Sequence, residues 1–166
     1  MEGRDELLTI GEIAVGIAGF SGVIAAFLQR GGLDRIDALR FINLFATAFA
    51  ALLLAFAPIA VALLGYEGAA LWSRASGVML FAWMLNSALA NYVFRDLRSA
   101  LGVESLWPAV LVTLPSFANL AAQLLNAGGW LWTPGFLAYL FGLLVYLYAA
   151  GLMFVYIVLF RPAEPG

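Results

Sequence analysis

Apolar residues run almost without interruption through five stretches of the chain, and the short segments between them hold nearly every charge. The runs are continuous and do not alternate with polar residues, which favours helices over strands. A helix of about 20 apolar residues crosses the roughly 30 Å of membrane hydrocarbon. The pattern therefore predicts an all-α, polytopic integral membrane protein with five transmembrane helices, at residues 7–28, 37–64, 71–94, 107–126 and 134–160.

Glycine and proline mark the ends of these runs. Gly31 and Gly65 follow the first and second runs, and Pro134 begins the fifth, as is typical of helix boundaries. The connections are too short to fold by themselves, so residues 1–166 are expected to form a single compact transmembrane bundle. The fourth run contains Pro115 among several polar residues, and a broken or re-entrant helix is an alternative there.

Composition excludes much of the known chemistry of active sites. The chain is 64% hydrophobic and 11% charged, with a mean hydropathy of +0.99, and it contains no histidine, cysteine or lysine. Haem ligation through histidine or cysteine, structural zinc, thiol chemistry, histidine-based triads and a phosphate-loop lysine are all excluded. We therefore predict that the protein is not an enzyme and uses no cofactor and no metal centre.

The distribution of arginine predicts an orientation in the membrane. With five spans, most arginines fall on one side, namely Arg30, Arg35, Arg40, Arg95, Arg98 and Arg161. Arg4 and Arg74 fall on the other side. Basic residues are enriched in cytoplasmic loops, so we expect the N-terminus outside and the C-terminus in the cytoplasm. The membrane itself is predicted to be a bacterial inner membrane.

Aromatic residues near the ends of the spans are typical of the membrane interface. On this basis the tryptophans are predicted to be membrane anchors, with Trp72, Trp130 and Trp132 near the outer boundary and Trp107 near the inner one. In the fifth span, Gly142 and Gly151 are predicted to allow close contacts between helices.

The first span is rich in small residues, which let helix backbones approach closely in lipid. Gly11, Ala18, Gly22 and Ala25 are predicted to be helix-packing positions. Because small residues surround most of this helix, we expect it at the centre of the bundle or at the centre of an oligomer.

One stripe along the first span begins with an acid and ends with a base. Its members are Glu12, Gly16, Gly19, Val23 and Arg30, at helical spacing. In a ring of identical subunits, the stripe would form a glutamate collar, a narrow glycine-lined section, an apolar constriction and an arginine collar. Acidic rings attract cations, and apolar constrictions gate by dewetting. In outline this arrangement resembles the pore helix of store-operated calcium channels, a likeness that covers one helix.

The stripe leads to the prediction of a homo-oligomeric membrane protein whose first helix lines an ion-conducting or ion-coupled pathway, with a cation as the transported species. Two alternatives remain for Glu12. Its carboxylate can reach the membrane interface, about 7 Å from the start of the span, or it can pair with Arg74 at a similar outer depth.

Polar residues on the other spans suggest a crevice entered from the cytoplasm. They are Asn43, Thr47, Asn86, Asn91, Ser116, Asn119 and Gln123. The alternative is that these side chains hydrogen-bond between helices. Two other functions stay open, a non-transporting membrane subunit or anchor that packs against a partner protein and a carrier of lipids or small hydrophobic molecules. The low density of basic residues argues against a nucleic-acid partner.

Overall fold

The computed structural model describes residues 3–29, 35–101, 107–130 and 135–159, and within these ranges the chain forms five helices. They are α1 (Arg4–Gln29), α2 (Arg35–Leu63), α3 (Gly68–Leu101), α4 (Trp107–Ala127) and α5 (Gly135–Leu159). The prediction of five helices in an all-α fold is confirmed. The ends agree with the expected ones within about three residues, except that α3 extends further at its C-terminus.

Three of the helices are long and apolar enough to cross a membrane. These segments are Arg4–Ala26, Ala38–Leu63 and Gly135–Val158, in α1, α2 and α5. Each exceeds the length of about 20 residues that a membrane-spanning helix needs. The coarser prediction of a polytopic, membrane-spanning chain is therefore compatible with the structure, while spanning by α3 and α4 stays a prediction.

The packing places α5 in the middle of the bundle and α1 at its edge. Among the described residues, α5 contacts each of the other four helices, whereas α1 contacts only α2 and α5. The expectation that α1 lies at the centre of the bundle is therefore wrong. Its small residues are divided between a face that packs against α2 and α5 and a face that stays open, so they do not require burial on every side. A position at the centre of an oligomer stays a prediction.

Two helices end in the same way, with a glycine in the left-handed conformation. At the end of α2, Gly65 has a φ of +88° and the N–H of Tyr66 donates to the carbonyl of Val61. At the end of α4, Gly129 has a φ of +71° and the N–H of Trp130 donates to the carbonyl of Leu125. This pattern satisfies carbonyls that the helix leaves without partners, and only glycine adopts it without strain.

A proline inside α2 is compensated by a tyrosine from α5. Pro58 has no N–H, so the carbonyl of Leu54, four residues earlier, loses its helical partner. The hydroxyl of Tyr139 donates to that carbonyl at 2.6 Å. Both Pro58 and Tyr139 are completely buried. This hydrogen bond therefore joins α5 to α2 at the point where the α2 backbone would otherwise expose an unpaired polar group to the core.

Trp72 belongs to the core of the bundle. It is buried, and its ring centroid lies 5.2 Å from that of Phe136 and 5.8 Å from that of Tyr139. The prediction that Trp72 anchors the protein at the membrane interface is wrong, since α5 covers its indole ring. Trp130 is exposed, as an anchor should be, while the side chains of Trp107 and Trp132 lie outside the part of the chain whose side chains are described.

Helix α4 is continuous from Trp107 to Ala127, although Pro115 lies within it. The alternative of a broken fourth helix is therefore not borne out. Proline interrupts one backbone hydrogen bond of a helix without necessarily ending it.

Candidate functional site

The predicted ion-pathway residues lie on the face of α1 that points away from the rest of the described chain. Glu12, Gly16, Gly19 and Val23 are all exposed, and we call them the outer stripe. Arg30 lies outside the described residues. The opposite face of α1 carries buried residues, namely Leu7, Ile10 and Ala14. The outer stripe is therefore the centre of the only surface that α1 leaves open in the described part of the subunit.

The glycines of the outer stripe are bare. A Cβ atom built on Gly16 or Gly19 would have no other atom within 4 Å, apart from the local backbone of its own helix and its chain neighbours. These positions could thus accept a second helix at close range, or a larger side chain, without disturbing the fold of the subunit described here.

The predicted helix-packing residues of α1 lie on a different face. A Cβ atom at Gly11 would lie 3.6 Å from Leu52 Cδ1, and one at Gly22 would lie 3.5 Å from Phe45 Cζ. Ala18 and Ala25 also pack against α2 and α5. The small residues of α1 thus form two sets: Gly11, Ala18, Gly22 and Ala25 hold α1 to its own bundle, and Gly16 and Gly19 face outward.

The proposed ion pair between Glu12 and Arg74 is not formed. Among the described residues α1 makes no contact with α3, the helix that carries Arg74. The Arg74 guanidinium instead lies 5.3 Å from the centroid of the Tyr66 ring, a distance at which a cation is attracted to the aromatic face. Glu12 is exposed, which leaves its interfacial and ion-binding interpretations open.

A hydrogen-bonded network joins α3, α4 and α5 through buried polar side chains, which we call the amide cluster (Ser76, Asn119, Gln123 and Asn126). Ser76 Oγ donates to Gln123 Oε1 at 2.7 Å. Gln123 Nε2 donates to Asn119 Oδ1 at 3.1 Å and to the carbonyl of Ala138 at 2.7 Å. These three side chains are 0–1% exposed, so their hydrogen bonds are made in an environment without water.

Asn126 extends the amide cluster toward one end of the bundle. Its Nδ2 donates to Ser76 Oγ at 2.8 Å and to the carbonyl of Gly135 at 2.9 Å. Nearby, Ser73 Oγ donates to the carbonyl of Ala127 at 2.7 Å. Each polar contact satisfies a group that would be costly to bury alone. The cluster therefore holds three helices together, and each of its four side chains makes at least one hydrogen bond.

Gly142 on α5 leaves space for the side chains of the amide cluster. A Cβ atom on Gly142 would overlap Met79 Sδ and would lie 2.6 Å from Asn119 Oδ1 and 2.7 Å from Gln123 Nε2. The predicted close contact at Gly142 is confirmed. At Gly151 the same test finds no atom within 4 Å, so no helix of the described chain makes the predicted close contact there, because this side of α5 points into open space.

A second polar group lies between α2, α3 and α5. Asn43 Nδ2 donates to Met153 Sδ at 3.3 Å, and Thr47 Oγ1 donates to the backbone carbonyl of Asn43 at 2.8 Å. Asn86 Nδ2 lies 3.5 Å from Thr47 Oγ1, at the limit of a hydrogen bond. Asn43 Oδ1 is buried and has no partner among the described residues. This inner polar cluster (Asn43, Thr47 and Asn86) is loosely satisfied.

The predicted crevice residues are thus divided between separate places. Asn86 and Ser76, one from each cluster, are ten residues apart on α3, a distance of about 15 Å along the helix axis. Asn91 is exposed, and Ser116 Oγ donates to the carbonyl of Val112 in its own helix. The described residues do not form one crevice. Interhelical hydrogen bonding, the alternative, is what Gln123 does with α3 and α5, whereas Asn119 accepts from Gln123 within α4.

No family model, curated protein or solved structure matches this chain. In the described part of the chain, the amide cluster is buried between helices, whereas the outer stripe on α1 is open.

Proposed function

We propose that this chain is a five-span protein of a bacterial inner membrane, with its N-terminus outside and its C-terminus in the cytoplasm. It assembles as a homo-oligomer around α1 and forms an ion-conducting or ion-coupled pathway for cations. The observation that supports this proposal is the outer stripe, an exposed row of one acid and two bare glycines on a helix at the edge of the subunit.

The bare glycines favour assembly through α1. Helices in lipid do not associate by the hydrophobic effect, and they gain most from close backbone packing where side chains are small. Gly16 and Gly19 provide such a surface facing away from the subunit. A second copy of α1 packed there would bury an open face that α2 and α5 leave uncovered.

The acid at one end of the outer stripe favours an ion pathway over simple packing. A carboxylate within a membrane-spanning segment is costly against lipid and is usually placed where it meets water, an ion or a partner. In a ring of subunits Glu12 would face the axis and attract cations. From Glu12 to Val23 the stripe extends about 16 Å, half the thickness of the hydrocarbon.

The same open stripe also fits a non-transporting subunit that packs against a different protein. A carrier of small hydrophobic molecules in the predicted crevice has less support, because the amide of Gln123 is fully engaged in hydrogen bonds within the bundle. The two leading functions differ in what Glu12 does. An ion pathway requires its carboxylate, whereas a packing surface requires only that the glycines stay small.

Two substitutions test the assembly through α1 and the role of the Glu12 carboxylate one at a time. Native mass spectrometry of the detergent-solubilised protein is expected to give a ring of three or more subunits. Gly19→Leu is expected to reduce the assembly to monomers by blocking close packing, since a leucine there has space within the subunit. Glu12→Gln is expected to leave the mass unchanged and to lower cation conductance in planar bilayers at least about threefold, because it removes the attractive charge.

Ala121→Leu provides a matched control, because it adds bulk at an exposed position on α4. It should change neither mass nor conductance. A monomeric wild-type protein, or a pair with no axial path, would contradict the ion pathway. A ring whose conductance is the same with glutamate or glutamine at position 12 would exclude a role of the Glu12 carboxylate in conduction.

A further inference from the structure

A shallow groove, open to the surface, lies along α3 beside the last residue of α4. Its lining residues are Ser73, Arg74, Gly77, Val78 and Phe81 of α3 and Ala127 of α4, and its volume is about 680 Å³. We call it the α3–α4 groove. It lies on elements that the outer stripe does not use.

The groove is charged at one end and apolar along its length. Arg74, Gly77, Val78 and Phe81 follow one another at offsets of three, four and seven residues, which places them on one face of α3. Arg74 is exposed, while Val78 and Phe81 are 45% and 65% exposed apolar side chains. Seven residues of helix separate Arg74 from Phe81, which is about 10 Å. A cation therefore lies at one end of an open, apolar helix face of that length.

At the base of the groove the backbone of α3 is uncovered, and a hydrogen bond to α4 fixes its position. A Cβ atom on Gly77 would have no neighbouring atom within 4 Å, so the backbone of α3 is accessible there. The hydroxyl of Ser73 donates to the carbonyl of Ala127 at 2.7 Å, which ties α3 to the end of α4. The Ser73 hydroxyl is thus already engaged, and the polar group left to meet a ligand in the groove is the exposed guanidinium of Arg74, which also lies against the Tyr66 ring.

Such a gradient from charge to hydrocarbon matches one class of molecule in the surroundings of a membrane protein. We propose that the α3–α4 groove binds one anionic glycerophospholipid, with its phosphate paired to Arg74 and one acyl chain lying over Gly77, Val78 and Phe81. Guanidinium groups bind phosphate oxygens through two parallel hydrogen bonds. A zwitterionic headgroup carries its own ammonium, which reduces the gain from a single arginine.

The test is native mass spectrometry of the purified full chain with added phosphatidylglycerol or phosphatidylcholine. The wild-type protein should retain one phosphatidylglycerol in preference to phosphatidylcholine. Arg74→Gln should lower the affinity for phosphatidylglycerol about tenfold, since a hydrogen bond to a charged group is lost. Gly77→Leu should abolish retention of both lipids, because its side chain would occupy the groove in a space that is otherwise open.

Two control substitutions make similar changes at exposed positions that lie away from the α3–α4 groove. Arg4→Gln removes an exposed arginine of α1, and Ala60→Leu adds bulk at an exposed position of α2. Neither should alter lipid retention. If Gly77→Leu does not yield folded protein, Phe81→Ala tests the same acyl contact by removing it, and a clear drop in retention is expected.

Some outcomes would overturn the proposal. Equal retention of the two lipids by the wild-type protein would indicate a non-selective layer of surrounding lipid. Unchanged phosphatidylglycerol binding in Arg74→Gln, or full retention in the groove-filling variant, would show that the lipid is held elsewhere. The readout does not depend on conductance or on assembly through α1, so failure here would leave the proposed ion pathway untouched.

Discussion

Gly142→Ala is expected to destabilise the helix bundle by about 1–3 kcal/mol, the usual cost of overpacking a tightly filled core. The added methyl group would lie closer to side-chain atoms of Met79, Asn119 and Gln123 than non-bonded contacts of a Cβ atom allow. Either α5 moves away from α4 or the amides leave their hydrogen-bonding positions. Both responses are costly, because the amide groups are buried and hydrogen bonds that they lose are not replaced by water.

Gly151→Ala, on the same helix, is the matched control. No atom lies within 4 Å of a Cβ built there, and alanine is more favourable than glycine in a helix by about 0.5–1 kcal/mol. Thermal or denaturant unfolding in one detergent should therefore show Gly142→Ala clearly less stable than wild type and Gly151→Ala equal to it or slightly more stable. If both variants unfold like the wild-type protein, the close approach of α5 to the amide cluster is not real.

The five helices could be predicted because each is a long apolar run that ends at residues typical of helix boundaries. Gly65 is an example: it follows the second run directly, and the structure places it in the left-handed conformation that closes α2. Signals of this kind are local, since they depend on a few neighbouring residues along the chain. For the same reason the helix ends are close to those expected.

The arrangement of the helices could not be predicted, because no polar face marks the exposed side of an apolar helix. In a water-soluble helix the polar face marks the surface, but here exposed and buried faces are equally apolar. Leu63 is 84% exposed and Leu7 is completely buried, although both are leucines of helices that are long and apolar enough to cross a membrane. Nothing in the pattern therefore indicated that α5 is central, that α1 lies at the edge or that Trp72 is covered.

The candidate site illustrates the same limit. Helical spacing correctly puts Glu12, Gly16, Gly19 and Val23 on one face, since this follows from 3.6 residues per turn alone. Which way that face points depends on contacts between distant parts of the chain. Similarly, Asn86 and Asn119 are both polar residues of neighbouring helices, but their depths in the bundle differ, and the depth depends on how α3 and α4 pack.

Tyr139→Phe is expected to cost about 1–3 kcal/mol, the penalty for leaving a buried polar group without a partner. The phenol hydroxyl is the donor that satisfies the carbonyl of Leu54 at 2.6 Å. Pro58 cannot supply the helical N–H that would otherwise do so. Removing the hydroxyl leaves the shape of the core nearly unchanged, so the loss measured by unfolding should report the hydrogen bond.

Tyr146→Phe is the control for this change. It lies two helical turns further along α5, it is also buried, and its hydroxyl has no hydrogen-bond partner among the described residues. Removing an unsatisfied buried hydroxyl should be neutral or slightly stabilising. Equal losses in the two variants would mean that tyrosine hydroxyls stabilise this core for a reason other than the carbonyl of Leu54.

The dependence on proline can be tested directly by a double-mutant cycle. In a Pro58→Ala background, residue 58 regains an N–H that can bond the carbonyl of Leu54 along the helix. Tyr139→Phe should then cost about 1 kcal/mol less than it does beside Pro58, because the carbonyl keeps a partner. The cycle cancels the cavity that the smaller alanine leaves, since that loss appears on both sides. If Tyr139→Phe costs the same in both backgrounds, the tyrosine stabilises the bundle independently of the proline, and the hydrogen bond between α5 and α2 does not compensate for it.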